Sequence, residues 1–318
     1  PNQTGFMRGR FISGNTHELN LLQATLEDAA DAGSLQDDQK GGAFILLDQE
    51  KAFDSCAWPS LHAVVAALGF GPKALRWITL LYNPDRPLTR KISYNSSQSR
   101  PYEVRCSVPQ GDGLSPILFI CLMEGLTRLI MADNAIPGIT IGGTNYKLSL
   151  YADDTVVYLI AAAMAALAAQ LTALWAILAR FKGATGLTVN KTKTEGLPAG
   201  TIRTLAEAED LPENETINWL EEGEHTKVLG APIGYRFNIE EVWRSIYFKF
   251  KARISGWGNR ARYAVLESRI PIIATMALSQ FWYYLQTLCP SDNLANWIKQ
   301  DIDAFLWIKA ANFAKNET

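Results

Sequence analysis

The sequence predicts an α+β protein, and three features carry that reading. The run GGAFILLD, apolar after two glycines, reads as a buried strand ending on Asp48. The stretch GITIGGTNYKLSLYADDTVVYL reads as strand, Gly-Gly turn, strand, acidic turn and strand. From Asn238 onward the apolar spacing turns helical and stays so to the end. Hairpins mixed with helices, followed by an all-helical tail, make the α+β pattern.

The elements follow in order. Residues 1–40 begin polar and become helical: HELNLLQATLEDAADA places Leu19, Leu22 and Leu26 on one face and acids on the other. Trp58 to Leu81 is an amphipathic helical stretch broken at GFGP. In LTRKISYNSSQSRPYEVRCSV, two alternating runs flank a polar centre, a hairpin with its turn near Asn95–Ser99. SPILFICLMEGLTRLIMADN reads as a helix with Ser115 as N-cap and Pro116 at its first position. Thr155 to Ala179 carries no charge and is long enough to span a bilayer. Alanine is only weakly apolar, Gln170 and Thr172 interrupt the run, and it begins directly after two aspartates. The reading is therefore a strand, Val156 to Leu159, then an alanine-rich helix ending near Lys182 and packed closely on a sheet. GLTVNKTKTEGL and HTKVLGAPIG follow as further strand-like segments. The 195–225 stretch reads as the loosest part, with Pro198, Gly200, Pro212 and an acidic run at Glu221–Glu224. There are no internal repeats.

A chain of 318 residues has room for two or three domains and a large core. Hydrophobic content of 48% and charged content of 19% place it among ordinary globular proteins. A net charge of −2 rules out a global basic field, though not a local basic stripe. Cys56, Cys106, Cys121 and Cys289 show no pairing or metal spacing, and three histidines add none, which points to a reduced intracellular protein. The chain opens on Pro1 without a basic segment leading into an apolar one. It reads as a piece of a longer frame with no visible signal peptide.

Asp153 and Asp154 interrupt a run of β-branched and apolar residues, where unpaired charge is expensive. The tight turn of a hairpin is the natural place for them. Asp48 ends a different strand. Three carboxylates at strand ends, converging from distant positions, would suit a hard cation such as Mg²⁺ or Mn²⁺. Two plainer readings stay open: a solvated Asp-Asp turn, and Asp48 as the N-cap of the helix-like QEKAFD. Spacing does not separate them, because such ligands are not local in sequence.

Taken together, several motifs resemble the reverse transcriptase domain of non-LTR (LINE-type) retrotransposons. PNQTGFMRGRFISGN is similar to that family's fingers signature, LLDQEKAFD to its first catalytic motif and SVPQGDGLSPILF to its template- and nucleotide-positioning motif. YADD resembles the second catalytic motif, and GLTVNKTKTE and KVLGAPIG the two that follow, the latter the primer grip. They stand in family order over most of Pro1 to Gly234. LESRIPIIATMALSQFWYYLQTL through FLWI resembles the helical thumb and the segment beyond it.

The resemblance implies a right-hand polymerase fold: fingers, a palm with a split βαβ sheet, and a helical thumb. Residues 1–40 would be fingers with an incomplete N-terminus. Residues 41–235 would be palm with a finger insertion at about 57–105, and 236–318 thumb and the start of a downstream region. It implies an RNA-dependent DNA polymerase in which Asp48, Asp153 and Asp154 hold two Mg²⁺ ions, Mn²⁺ being possible, with the Gln49 carbonyl as an extra ligand. Phe53 falls where the family places an aromatic gate against a 2′-hydroxyl; the plainer reading is a core phenylalanine. Gln110 and Gly111 would meet the incoming nucleotide. Lys193 would stand near the triphosphate as a proton donor to pyrophosphate, or else be a solvated lysine. Val228, Leu229 and Gly230 would form the primer grip.

Arg8 and Arg10 would touch template or phosphate, or else be solvated loop charges. From Arg236 to Arg269, eight basic residues stand against three acidic ones, a local charge of +5. Lys249, Lys251 and Arg253 lie among Trp243, Tyr247, Phe248, Trp257 and Tyr263. That composition suits a face tracking a duplex backbone, or an ordinary amphipathic helix with its aromatics in the core. The implied partners are an RNA template, a DNA primer or target and deoxynucleotides, with no membrane. An endonuclease domain would lie elsewhere in the full-length polyprotein, and the element's chemistry would take place at nuclear DNA in a eukaryote.

The chain departs from the family pattern at Gly113, where proline is common, at Ser107, where glycine is usual, and at Cys56, a frequent valine. The competing functions are a catalytically inactive nucleic-acid-binding remnant of a retroelement and another palm-bearing enzyme such as an RNA polymerase. The aromatic at Phe53 argues against the last.

Overall fold

The computed structural model describes residues 2–32, 40–86, 88–207, 210–212, 216–261 and 264–307. Helix α1 (Ile12–Ala32) leads to strand β1 (Gly41–Leu47), buried along its whole length, and to the short β2 (Gln49–Glu50). Helices α2 (Trp58–Ala67) and α3 (Pro72–Leu81) each carry proline in their first turn, where a missing N–H costs nothing. A projecting hairpin follows: β3 (Leu88–Arg90), β4 (Ser93–Tyr94), β5 (Ser97–Gln98) and β6 (Tyr102–Val104), with β3 on β6 and β4 on β5. Its turn is the pair Asn95–Ser96, both at positive φ, tighter than the Asn95–Ser99 turn expected.

Helix α4 (Ser115–Ala132) precedes β7 (Ile139–Ile141) and β8 (Thr144–Tyr146), joined at Gly142–Gly143 as the sequence indicates. Then come β9 (Leu148–Tyr151), β10 (Asp154–Ile160), α5 (Met164–Thr185), β11 (Thr188–Val189), β12 (Glu195–Gly200), α6 (Thr201–Leu205) and β13 (Asn218–Trp219). These belong to the first of two compact units, Pro1–Leu220. The second, Glu221–Thr318, holds the hairpin β14 (His225–Val228) and β15 (Ala231–Gly234). It continues with helices α7 (Ile239–Ala261), α8 (Leu266–Ile272), α9 (Ser279–Tyr284) and α10 (Asp292–Trp307). A π-helical turn, Ile273–Leu278, joins α8 to α9 just after Pro271, whose missing N–H breaks the regular ladder.

The main sheet runs β13-β12-β1-β10-β9. Strand β1 is antiparallel to both neighbours, with Gly42 opposite Ile160 on one side and Ala199 on the other. The β10 backbone passes so close that a Cβ on Gly42 would lie 2.1 Å from the Leu159 carbonyl oxygen. Side chains alternate between faces. Ala43, Ile45, Leu47, Val157 and Leu159 share a core with Leu118, Leu122 and Leu126 of α4 and Leu167, Leu171 and Leu174 of α5. Helix α1 packs on β12, β1 and β9, with Leu19, Leu22 and Leu26 buried as expected. Helices α4 and α5 are each long and apolar enough to cross a membrane by length and composition. Here their apolar residues fill the core against the sheet.

Two acids of α1 find partners: Glu18 accepts from the Tyr158 hydroxyl at 3.1 Å, and Glu27 pairs with Arg203. Burial raises the Glu18 carboxyl above its ordinary value, the hydrogen bond from Tyr158 opposing it. Pro198 and Gly200 lie not in a loose stretch but in buried β12. Thr201 N–H donates to Lys40 O, so alternation along the ladder makes Ala43–Pro198 a non-hydrogen-bonded pair. The proline's missing N–H therefore faces away from β1, towards a side where β13 pairs only with Glu195 and Gly196.

Ser115 is the first helical residue of α4, fully buried, and not its N-cap. Asp112 does the capping. Its Oδ1 accepts from Leu114 N–H at 2.7 Å and Ser115 N–H at 2.8 Å, and its Oδ2 from the Ser115 hydroxyl at 2.6 Å. Burial pushes this carboxyl up, but those hydrogen bonds and the charge of Arg90 outweigh it and hold it below its ordinary value.

The second unit has its own core. Val242, Trp243, Ile246, Phe250 and Ile254 form one face of α7 and meet Ile273, Phe281, Leu294 and Phe305.

Asp112→Ala should cost about 1 kcal/mol at neutral pH, the usual worth of such a cap. A carboxyl depressed in the folded state stabilises above its unfolded pKa, about 4. The gap to wild type should therefore close as pH falls below that value through the folded pKa. Urea unfolding at pH 7 and at pH 3 measures both.

Candidate active site

Leu47 pairs with Thr155, so Asp48 at the end of β1 and Asp154 at the start of β10 lie at one edge of the sheet. Asp153 stands beside them in the two-residue turn joining β9 to β10. Asp154 keeps an exposed edge, yet burial on its other sides, then repulsion from Asp153 and Asp48, raises its carboxyl to about 6. Asp153 and Asp48 thus both act on the Asp154 carboxyl. Lys193, from the short 3-10 turn Lys191–Lys193, places its Nζ 3.7 Å from Asp48 Oδ2. Both side chains are well exposed, so the pair contributes little to stability.

Among the described residues, no three His, Cys, Asp or Glu side chains lie close enough to enclose a metal ion as they stand. The donor chemistry nevertheless fits a hard divalent cation: carboxylate oxygens whose mutual repulsion a cation would relieve. Gln49 adds to the fit. Asn190 N–H donates to Asp48 O, so Gln49–Val189 is a non-hydrogen-bonded pair and the Gln49 carbonyl faces away from β11. The Gln49 side-chain amide is buried, and neither its Oε1 nor its Nε2 has a partner.

Phe53 is half-buried and stacks on Phe119 of α4, ring centroids 4.7 Å apart. Its carbonyl accepts from Val108 N–H at 2.8 Å, which ties it to the segment leading to Gln110 and Gly111. Those two form an exposed turn, Gly111 at φ 95. Leu229 and Gly230, at φ 54 and 84, make the tight turn of β14–β15, and Val228 before them is buried. Arg8 and Arg10 are exposed, and Arg10 donates to Gln3 O. Lys249 is exposed on α7, Lys251 lies over the Tyr247 ring, and Arg253 donates to Met276 O at 2.9 Å.

Two of the aromatics interleaved with these charges are structural. Trp243 is fully buried and donates to Cys289 O, and the Tyr247 hydroxyl donates to Asp301 Oδ2 at 2.6 Å. Phe248 remains exposed, while Arg262 and Tyr263 lie outside the described residues. The first unit therefore brings Asp48, Asp153, Asp154, Gln49 and Lys193 to one place. Val228 to Gly230 and the α7 cations belong to the second.

Ser107 has a role that composition alone did not signal. It adopts φ 103, a conformation that favours glycine, the residue usual there in the family it resembles. Its N–H donates to Cys56 O, its carbonyl accepts from Trp58 Nε1 at 2.8 Å, and its hydroxyl is buried without a partner.

An α+β sheet with acids at one edge and helices packed on its faces, followed by a helical unit, is the right-hand fold of a nucleic-acid polymerase. The family model described as "Reverse transcriptase (RNA-dependent DNA polymerase)" matches residues 1–231, and the chain belongs to that family. It is 26% identical over 276 residues to the "Transposon TX1 uncharacterized 149 kDa protein" of Xenopus laevis, covering 84% of this chain and 19% of that protein. It is 29% identical over 154 residues to the "Retrovirus-related Pol polyprotein from type-1 retrotransposable element R2" of Popillia japonica, covering 48% of this chain and 20% of that one. The chain thus spans about a fifth of the length of these relatives. Among solved structures it is similar to apo telomerase from Candida tropicalis truncated from its C-terminal domain. That match has a TM-score of 0.42 and 12% identity, over 62% of this chain and 36% of that one. The relatives bear out the non-LTR retrotransposon resemblance read from the motifs.

Ser107→Gly should stabilise the chain by about 1 kcal/mol: relief of strain and of a buried hydroxyl, less the greater freedom of unfolded glycine. Ser107→Ala keeps the Cβ at φ 103 and should gain less. Urea midpoints of the two variants against wild type decide it.

Proposed function

We propose that the chain is the RNA-dependent DNA polymerase domain of a non-LTR retrotransposon, extending a primer 3′-hydroxyl with deoxynucleotides on an RNA template. The observation that carries this is the meeting of Asp48, Asp153 and Asp154 at one end of the sheet, where both other carboxylates act on that of Asp154. These three, with the Gln49 carbonyl, would hold two divalent cations, Mg²⁺ or else Mn²⁺. When bound, the cations supply neutralising charge to the triphosphate and acidify the attacking hydroxyl.

The remaining roles belong to the chain's own groups. Phe53, braced on Phe119, presents an aromatic edge beneath the incoming sugar and excludes a 2′-hydroxyl by volume. Gly111 lets the backbone of the Gln110 turn approach the nucleotide, since no Cβ stands in the way. Lys193, 3.7 Å from Asp48, would hold a proton for the departing pyrophosphate. Val228, Leu229 and Gly230 form the primer grip on the tip of β14–β15. Lys249 and Arg253 of α7, with Arg8 and Arg10, meet phosphates, reading duplex shape rather than sequence. Residues 1–40 and about 57–105 then serve as fingers, the main sheet as palm and 236–318 as thumb. The polyprotein's endonuclease lies outside this chain.

Primer extension on an RNA template with Mg²⁺ tests the proposal. Asp153→Asn keeps size and removes a ligand charge. It should lower extension by at least about 10³-fold, several kcal/mol of lost transition-state stabilisation, while template–primer binding survives. Near-normal extension by this variant would sink the two-metal assignment. A wild-type chain that binds but never extends would instead be a silent remnant.

Phe53→Val should raise the ratio of ribo- to deoxynucleotide kcat/KM by about tenfold or more on one template. Phe53→Tyr, which keeps the ring, should not. An unchanged ratio in a Val variant that still polymerises would make Phe53 a packing residue alone.

A further inference from the structure

We propose that Gln3 is a positioning residue for the acidic turn: its side-chain amide clamps Ala152 and so sets the direction in which Asp153 leaves the sheet. The inference rests on the proposed role of Asp153 and goes beyond it, to a residue outside every segment that bears an acid.

Residues 2–4 lie along β9, an edge of the main sheet, as a short parallel addition. Leu150 N–H donates to Asn2 O at 3.0 Å, and Thr4 N–H donates to Leu150 O at 2.9 Å. From that position Gln3 reaches past the end of β9. Its Oε1 accepts from Ala152 N–H at 3.0 Å and from Gly5 N–H at 2.8 Å, and its Nε2 donates to Ala152 O at 3.4 Å. One planar amide therefore engages both backbone groups of the residue that precedes Asp153.

Ala152 needs such a clamp. It sits at φ 57, a left-handed conformation that a side chain disfavours and that persists only where its surroundings over-determine it. The turn contains no glycine to relieve it. The strap itself fits only because Gly5 has no side chain, since a Cβ there would lie 2.5 Å from Ala152 N. Asn15 of α1 anchors the strap from below, donating to Ser149 Oγ at 2.7 Å and Leu150 O at 3.0 Å and accepting from the Thr4 hydroxyl. Glutamine suits the position by length and by carrying an acceptor and a donor on one group. Glutamate would lose the donor and bring a fourth negative charge near Asp153.

A chain of bonds from α1 through Thr4 and Gln3 to Ala152 thus supports, from outside the ladder, a turn whose base the Tyr151–Asp154 pair closes. Reacting groups must be held within a fraction of an ångström, so loss of the clamp acts on turnover before it acts on folding.

The experiment compares full-length wild type, Gln3→Met, which keeps the bulk and removes the hydrogen bonds, and Gln3→Ala. The first readout is amide exchange at Ala152 without metal. Both variants should exchange at least about tenfold faster, while the urea midpoint holds for Gln3→Met. The second is steady-state extension, where kcat should fall about tenfold to a hundredfold with the deoxynucleotide KM within about twofold. Unchanged exchange at Ala152 overturns the clamp. Faster exchange with undiminished kcat, or a kcat loss matched by a lowered urea midpoint in Gln3→Met, overturns the positioning role. Normal extension by Asp153→Asn would be a failure of the underlying catalytic reading, distinguishable because the exchange arm still decides whether Gln3 holds the turn.

Discussion

The antiparallel pairing of β1 with β10, with Leu47 opposite Thr155, is the constraint on which the rest of the site depends. A slip of one residue would turn Ile45 and Leu47 off the face packed by α4 and α5 and would move Asp48 out of step with Asp154. Fully buried neighbours on both faces make such a slip expensive. Gly42, pressed against the Leu159 carbonyl, adds a steric pin. The packing that fixes this register also buries Asp154, and that burial, with repulsion from Asp153 and Asp48 added to it, raises its carboxyl to about 6.

Three of the residues with strained backbone lie close in sequence to groups assigned to the chemistry. Lys51, Ser107 and Ala152 are all non-glycine residues at positive φ, each within a few residues of a group assigned to the chemistry. Each is held by hydrogen bonds, local at Lys51 and from distant residues at Ser107 and Ala152. Asp54 and Ser55 N–H both donate to the Lys51 carbonyl, Trp58 and Cys56 hold the Ser107 backbone, and Gln3 holds Ala152. Strain persisting where the structure over-determines it is what a site needs in order to stay rigid while it handles charged ligands. The serine at 107, where a glycine would sit without strain, shows that the scaffold tolerates a departure of this size.

The second unit follows a different rule. Its helix α7 divides by periodicity, with Trp243, Ile246 and Phe250 inward and Phe248, Lys249 and Arg253 outward. The aromatic residues that the sequence interleaves with cations therefore serve two ends. Among the described residues, Trp243 and Tyr247 secure the helix, while Phe248 is left on the surface with the charges. The hairpin β14–β15 belongs to this unit by its contacts, so the contact boundary falls at Leu220, ahead of the strand pair rather than after it.

By itself the sequence determined what is local or periodic. The β-branched run after Asp154, the Gly142–Gly143 turn, the prolines opening α2 and α3, and the buried stripe of α1 all depend on neighbours within a few residues. The order of the motifs was enough to name the family and to place Asp48, Asp153 and Asp154 at strand ends. The tertiary structure alone decided what depends on residues distant in the chain. The partners of Glu18 and Glu27, Tyr158 and Arg203, are distant in the chain, and Pro198 looks like a loop residue until β1 fixes which way its nitrogen faces. Asp112 displaces Ser115 as the cap because Ser115 is buried at the start of α4, with Tyr82 beside it. Gln3 and Ala152 lie 149 residues apart, and no pattern along the chain encodes their bond. Helical and strand periods are written in short-range sterics and solvation, whereas a hydrogen bond across the sheet edge exists only once the strands have paired.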